Sequence, residues 1–428
     1  MTVRGVLGRT FASLAVRNFR LFAGGQLVSA AGTWMMVIAQ DWLVLSLTSD
    51  SPGALGLVTA LQFSPLLLLT LYAGGLADRY DKRRLLIAAN LVSSGSAAAL
   101  AVLVLADRVQ LWHVYAFALV LGTVNAVEVP ARLSFVSELV GAELLPNASA
   151  LSAAYFNIAR VVGPAAAGLL VAWWGTGPVM LVNAVSFGAT VAGLRLIRPA
   201  ELHRAAHRPA RAAVRDGVRH LLARRDLLPP MALVAVTGMI GFNFQLTLPL
   251  LAKTVFRTDA AAFGLLTTAL AAGSLVAAFV TTARRGRPGL RLVWGTALAF
   301  GLLQALAGLA PAFGAALLML FCVGFASVFF TQAANHHIQL GSDPDFRGRI
   351  MALYTLVFQG TTPAGALLTG AVSAAYGVRW AMVAAGVVCA AAALAVPAVS
   401  RRLPLTPGTA PVANPAPREE TGRSAANS

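Results

Sequence analysis

The chain is short of charge, of lysine and of cysteine. Only 11% of its 428 residues are Asp, Glu, Lys or Arg, where a soluble domain carries about a quarter. Hydrophobic residues make up 58% and the mean hydropathy is +0.74, a balance that excludes a water-soluble domain and implies an integral membrane protein. The only two lysines are Lys82 and Lys253, and neither closes a Gly-x4-Gly-Lys run. Without that phosphate-cradling loop, ATP hydrolysis by the chain itself is not expected. The two cysteines, Cys322 and Cys389, stand inside apolar segments and imply no disulfide framework. No nucleophile motif or catalytic carboxylate pair stands out. His336 and His337 have no carboxylate or cysteine at ligand spacing, so neither an enzyme nor a metal site is expected.

What charge there is carries one sign. The net charge is +17, but the basic residues fall between apolar runs rather than on one face of a soluble domain. That is the positive-inside pattern of a membrane protein and not a nucleic-acid footprint. Arg4, Arg9 and Arg17 precede a first apolar run that is long and has no cleavage site, so it reads as a retained span and not a signal peptide.

Taking about 20 apolar residues per crossing, twelve spans are predicted near 19–45, 54–76, 85–105, 111–131, 147–172, 177–197, 230–252, 262–283, 291–310, 312–335, 350–374 and 379–399. With the N-terminus inside, 28 of the 33 Lys and Arg residues fall in cytoplasmic segments and 4 outside, leaving Arg160 within a span. This bias predicts both termini in the cytoplasm. The reading is an all-α integral membrane protein. Residues 1–18 form a cytoplasmic segment, 19–197 a first six-helix bundle, 198–229 a cytoplasmic linker, 230–399 a second bundle and 400–428 a disordered cytoplasmic tail. In the linker, Val214, Val218, Leu221 and Leu222 stand at helical spacing among arginines, which fits an amphipathic helix on the anionic inner leaflet or a solvated linker helix.

The two bundles repeat. An offset of 208 brings Gly56 onto Gly264, Arg79 onto Arg287 and Arg83 onto Arg291. An offset of 202 brings Gly168 onto Gly370 and Gly175 onto Gly377. Such recurrence fits a transporter built of two parallel halves.

Between the second and third spans lies Gly74-Gly75-Leu76-Ala77-Asp78-Arg79-Tyr80-Asp81-Lys82-Arg83-Arg84. This loop resembles the signature of the major facilitator superfamily of secondary transporters, although Asp81 stands where many members have glycine. Asn157 to Pro164 followed by Gly168 resembles the Gly-Pro run that the family's exporters carry on helix five, with the usual paired glycines reduced to Ala167-Gly168. Gly32-Thr33-Trp34-Met35, Trp42-Leu43-Val44-Leu45, Pro130-Ala131-Arg132 and Phe346-Arg347-Gly348-Arg349 are similar to the group that includes enterobactin exporters and small drug-efflux pumps.

The resemblance implies twelve transmembrane helices in two six-helix pseudo-repeats, the major facilitator fold. It implies a gate in which Asp78 meets the start of helix eleven near Arg349–Ala352 while Lys82 or Arg83 pairs with Glu128 at the inner end of helix four. Gly74, Gly75 and Arg79 complete that signature loop. In the family, helices one, four, seven and ten line the cavity, which makes Gln40, Asn125, Asn243, Gln245, Gln332 and Asn335 candidates, with Asn157 and Gln359 added from five and eleven. Gly163, Pro164 and Gly168 read as packing residues. Arg160, a charge at membrane depth, binds an anionic substrate or stabilises a helix contact. Asp41 either carries a proton, since desolvation disfavours its charged form, or sits at the lipid interface beside Trp42; Glu128 is the second proton candidate.

By this resemblance the chain is expected to be a proton-coupled antiporter exporting a small amphiphilic compound from the bacterial cytoplasm. It would lie in the inner membrane as a monomer, with no cofactor beyond the proton gradient and no nucleic-acid partner. An importer of the same fold and the membrane subunit of an ATP-driven complex are the alternatives.

Overall fold

The structure is a computed structural model; it describes residues 11–203, 214–224, 226–282, 286–344 and 346–402, and the side chains of 70–79, 214–217, 223 and 397–402 lie outside what it describes. A backbone in hydrocarbon must satisfy its own hydrogen bonds, and the spans are accordingly helices. In the first half these are Arg17–Leu47, Pro52–Arg79, Lys82–Leu105, the two arms of Leu111–Trp174, and Thr176–Leu196. The second half has Leu228–Val255, Ala260–Thr282, Leu290–Gly308, Phe313–Gly341, the pair Arg347–Gly360 and Thr362–Tyr376, and Val378–Arg402.

Ten of these helices are long and apolar enough to cross a membrane singly. Leu111–Trp174 supplies two spans, because Gly141 at φ 73° breaks it into arms 111–140 and 142–174. The eleventh span is divided at Thr361, ahead of Pro363, into two helices each too short to be counted alone. Twelve spans therefore result, in the expected order. The seventh is itself interrupted: α-helix gives way to a π segment at Thr237–Gly241, and the helix restarts at Phe244. Asn243 bridges the break, its Nδ2 donating to the carbonyls of Met239 at 2.8 Å and Ile240 at 3.1 Å, which occupies backbone groups the break would leave bare.

Three apolar cores set the arrangement of the halves. At the end carrying the chain termini and the linker, each half has its own. Phe19, Phe22, Leu86, Phe135 and Leu194 pack together in the first half; Leu227, Val293, Phe330, Ile350 and Val396 pack in the second. At the opposite end a single core runs through both, joining Val44, Leu45 and Leu55 to Leu248, Leu251, Phe263 and Leu266. Among the described residues the halves thus share one core at the far end and keep separate cores at the terminal end.

The seal uses the repeat glycines. A Cβ on Gly168 would stand 2.8 Å from the Ala260 carbonyl oxygen and 3.0 Å from Gly264 Cα. One on Gly56 would stand 2.8 Å from the Ala366 carbonyl oxygen, and one on Gly370 3.5 Å from Gly56 Cα. Spans five and eight, and spans two and eleven, therefore cross backbone to backbone at pseudo-equivalent places. Gly175 and Gly377, also related by the repeat, both cap helix C-termini at φ 79° and 84°, a conformation favoured by glycine.

The linker helix Val214–Ala223 does not lie free. Leu221 is buried in the second-half core, and His220 stacks on Phe346 with centroids 4.1 Å apart. Of the described apolar residues there, Leu221 meets protein while Val218 and Leu222 stay exposed, at 37% and 62%. Of the expected disordered tail, 400–428, residues 400–402 continue the last helix and the rest lies outside the described residues.

Candidate functional site

A cavity of about 460 Å³ opens between the halves. The first span faces it with a stripe spaced three, four and eight residues apart, Gln26, Ser29, Thr33 and Asp41, with Trp34 beside it. Asp41 is only 2% exposed, and its Oδ2 finds no hydrogen-bond partner among the described residues. The fourth span contributes Asn125, Glu128 and Arg132. The last two are one helical turn apart and form an ion pair of 3.1 Å. From the fifth span comes Arg160, whose guanidinium lies 5.7 Å from the Trp34 ring centroid and which no carboxylate pairs with among the described residues. The opposite wall is aromatic and uncharged, with Phe242, Phe244 and Gln245 from the seventh span, Phe263 from the eighth and Gln359 from the eleventh.

Of the residues expected to line a cavity, Asn125, Arg160, Gln245 and Gln359 do so, together with Asp41 and Glu128. Gln40, Asn157, Asn243, Gln332 and Asn335 are not part of the wall. Each residue of a helix is turned about 100° from the last, so membership of a lining span does not place a side chain on the lining face. Gln40 is 2% exposed and packed inside the protein, Asn157 Nδ2 donates back to the Ala153 carbonyl at 2.8 Å on an exposed face, and Asn243 is spent on the helix break. Sequence reasoning missed Arg132, Gln62 and Asn90, which complete the polar wall; the Glu-x3-Arg spacing was the signal for the first.

The expected gate pairing is corrected by the course of span four. Its helix runs on past the apolar stretch to Val140, because the polar residues near its end lower the hydropathy without breaking the helix. Glu128 consequently sits in the cavity wall, about 15 Å of helix from Glu138. It is Glu138 that ion-pairs with Lys82. Arg83 donates instead to the Leu194 carbonyl at 2.6 Å and the Arg195 carbonyl at 2.9 Å, capping span six. Asp81, at the family's glycine position, caps span three by accepting from the Arg84 backbone N–H at 3.0 Å. The side chains of Gly74, Gly75, Asp78 and Arg79 lie outside the described ones.

Gly163 packs against span one, where a Cβ would come within 2.6 Å of Trp34 Cβ; Pro164 and Gly168 pack on the eighth span at Gly264. Trp42 is not turned to lipid. Its ring stacks on Phe263 across the halves, centroids 6.5 Å apart, and Lys253 Nζ stands 5.1 Å from it. Lys253 also pairs with Asp50 at 2.8 Å, a second cross-half link at the sealed end.

At the terminal end the linker is pinned to the second half. Arg224 binds Asp226 and Asp343, each at 3.0 Å, and donates to the Gly341 carbonyl at 2.8 Å. Partial burial pushes the Asp226 carboxyl up, but the Arg224 hydrogen bonds and charge outweigh it and hold the carboxyl below its ordinary value. His337 Nδ1 lies 2.7 Å from the Pro288 carbonyl. No cluster of His, Cys, Asp and Glu suited to a metal ion occurs among the described residues.

Two repeated six-helix halves, sealed at one end around a central cavity, define a multi-pass membrane transporter of the major facilitator type. Solved structures share this fold. A bacterial homologue of the human lysosomal transporter Spinster, in its inward-facing, unoccupied conformation, superposes with a TM-score of 0.71 at 14% identity, over 90% of this chain and 97% of that one. The nucleoside transporter NupG gives 0.71 at 11% identity, over 89% and 98%. The chain belongs to the transmembrane secretion effector family, whose model matches residues 8–417. It is 26% identical to the Staphyloferrin A transporter of Staphylococcus aureus over 81% of this chain and 87% of that protein. It is 24% identical to the Multidrug efflux pump Tap of Mycolicibacterium fortuitum over 84% and 89%, and 21% identical to Macrolide efflux protein A of Streptococcus pyogenes over 82% and 88%.

Proposed function

We propose that the protein exports a small amphiphilic compound, a drug, siderophore or secondary metabolite, from the bacterial cytoplasm in exchange for protons, acting as a monomer by alternating access. The observation that carries this reading is Asp41, a buried carboxylate facing an aromatic-walled cavity with one oxygen unpartnered. An acid shielded from water and without an ionic partner is disfavoured in its charged form, which suits it to take up a proton. Glu128 is locked to Arg132, which favours Asp41 as the proton carrier of the two.

With both termini cytoplasmic, the end at which the described cores are separate faces the cytoplasm, the side from which cargo enters. A cargo with a positive group competes with the proton for Asp41, which is the elementary requirement for exchange. Rocking of the halves then parts the Gly168–Gly264 and Gly56–Gly370 crossings and brings the loop bearing Asp78 to the start of span eleven. The two efflux proteins among the relatives, Tap and Macrolide efflux protein A, support the direction, and these together with the Staphyloferrin A transporter support a small-molecule cargo.

Inverted membrane vesicles, energised by respiration and carrying a pH-sensitive dye, test the proposal against a panel of amphiphilic cations and siderophores. At least one compound should release protons from vesicles bearing the wild-type protein and from none bearing Asp41→Asn. Release that persists in Asp41→Asn contradicts the assignment of the proton, and no release with any compound contradicts coupled export.

A further inference from the structure

The ionisable groups of the cavity are distributed unevenly, and the distribution describes a cargo. Among the described lining residues four are ionisable, Asp41, Glu128, Arg132 and Arg160, and all belong to the first half. Glu128 and Arg132 satisfy one another at 3.1 Å. That leaves one acid and one base without an ionic partner: Asp41, whose Oδ2 is unpartnered, and Arg160, held only over the Trp34 ring at 5.7 Å. A charged side chain at membrane depth persists where it has a partner or a wet cavity, and it marks a functional site.

The two are set apart by a helix. Trp34, which carries Arg160, and Asp41 are seven residues apart on span one, close to two full turns, so they share one face of that helix and are separated by about 10 Å along it. Across the cavity stand Phe242, Phe244 and Phe263, with no charge among them. The site thus has an anionic pole at Asp41, a cationic pole at Arg160 beside Trp34, and an apolar aromatic wall across the cavity.

Resting on the export reading above, we propose that Asp41 and Arg160 are the two poles of the substrate site and that the cargo is a zwitterionic amphiphile. Its cationic group meets Asp41, its carboxylate or other anionic group meets Arg160, and the ring or chain between them lies on the phenylalanine wall. The cation displaces the proton from Asp41, while the anion supplies the partner that Arg160 lacks in the empty cavity. Arg160 then selects cargo: a purely cationic compound leaves the guanidinium unpaired, and a purely anionic one cannot displace the proton.

Three dyes of similar framework separate these cases: rhodamine B, which carries a cationic xanthene and a carboxylate; its ethyl ester, which keeps only the cation; and fluorescein, which keeps only anionic groups. Dye anisotropy on the full-length protein in nanodiscs gives the three affinities directly. Rhodamine B should bind tighter than either by about tenfold, the worth of a charge-assisted hydrogen bond. Arg160→Gln should abolish the preference over the ester and Arg160→Lys should keep part of it, which separates lost recognition from a misfolded variant. Asp41→Asn should abolish the preference over fluorescein. Equal binding of rhodamine B and its ester by the wild type, or an unchanged ratio in Arg160→Gln, overturns the two-pole site and leaves the export reading standing. Binding of none of the three dyes removes both, since the cavity then accepts no amphiphile.

Discussion

Gly168 and Gly264 touch backbone to backbone across the two halves, a Cβ on Gly264 falling 2.9 Å from Gly168 Cα. The same crossing recurs at Gly56 and Gly370, and the four positions are two pairs of repeat equivalents. A seal built from close backbone approach is strong in dispersion contacts yet opens as a rigid surface, without having to disentangle side chains.

Enlarging that contact should hold the sealed end open. Gly168→Leu inserts atoms where the eighth span already lies, and overpacking of this kind costs about 1–3 kcal/mol. That is enough to shift a two-state equilibrium by roughly 5–150-fold. Spin labels on Ser49→Cys and Arg257→Cys, in the loops at the sealed end, should report a longer distance in the variant together with lost transport. An unchanged distance with normal transport contradicts the role of the contact.

Lys253 is the second link at this end, joined to Asp50 and lying over Trp42. Both ionic partners are partly exposed, at 22% and 36%, so the pair is worth at most about 1 kcal/mol. Lys253→Met should leave the melting temperature nearly unchanged while the same label pair shows a larger open fraction. A double-mutant cycle with Asp50→Ala should give a small favourable coupling; zero coupling would mean the pair contributes nothing to the seal.

The Lys82–Glu138 pair should behave differently, because its side chains are only 8% and 15% exposed. Removing one partner leaves a buried charge bare, on the order of 3 kcal/mol. Lys82→Met and Glu138→Gln should each destabilise the first half in thermal unfolding, and the double variant should be no worse than either alone. Strong coupling of Lys82 to Glu128 instead would restore the pairing expected from the sequence.

That pairing shows where sequence reading stops. Composition and the repeat made the twelve spans and two halves legible, but that the repeat glycines meet across the halves is seen only in the structure. The end of span four was not legible, because Glu128, Arg132 and Glu138 depress hydropathy while remaining compatible with helix. The lining face was only partly legible. On span one Asp41 stands out in the sequence, but Gln26, Ser29 and Thr33 on the same wall do not, and Asn243 reads as a cavity amide until the break in span seven is seen. Trp42 reads as an interfacial ring, and only the partner helix reveals Phe263 beneath it. Which helix meets which is a tertiary fact, and spacing inside one segment does not contain it.

Docking of the linker should depend on acid. Because Arg224 holds the Asp226 carboxyl below its ordinary value in the folded chain, the interaction contributes stability above the unfolded value of about 3.9 and loses it as pH falls through the lower folded value. Hydrogen exchange of Val214–Ala223, corrected for intrinsic rates, should show protection kept at about pH 5 and falling as the pH drops below the ordinary carboxylate value of about 3.9. Asp226→Asn should lower protection at neutral pH and flatten that dependence; an undiminished protection would mean that Leu221, His220 and the Arg224 contacts to Asp343 and Gly341 hold the helix without Asp226.

The central claim is that cargo and proton contend for Asp41. It is tested most directly by proton release from purified protein in weakly buffered detergent on addition of rhodamine B, followed with a soluble pH indicator. Wild-type protein should release up to about one proton per dye bound at a pH where the free site is protonated, and Asp41→Asn should bind dye while releasing none. Equal release from both proteins would place the exchanged proton elsewhere and contradict the claim.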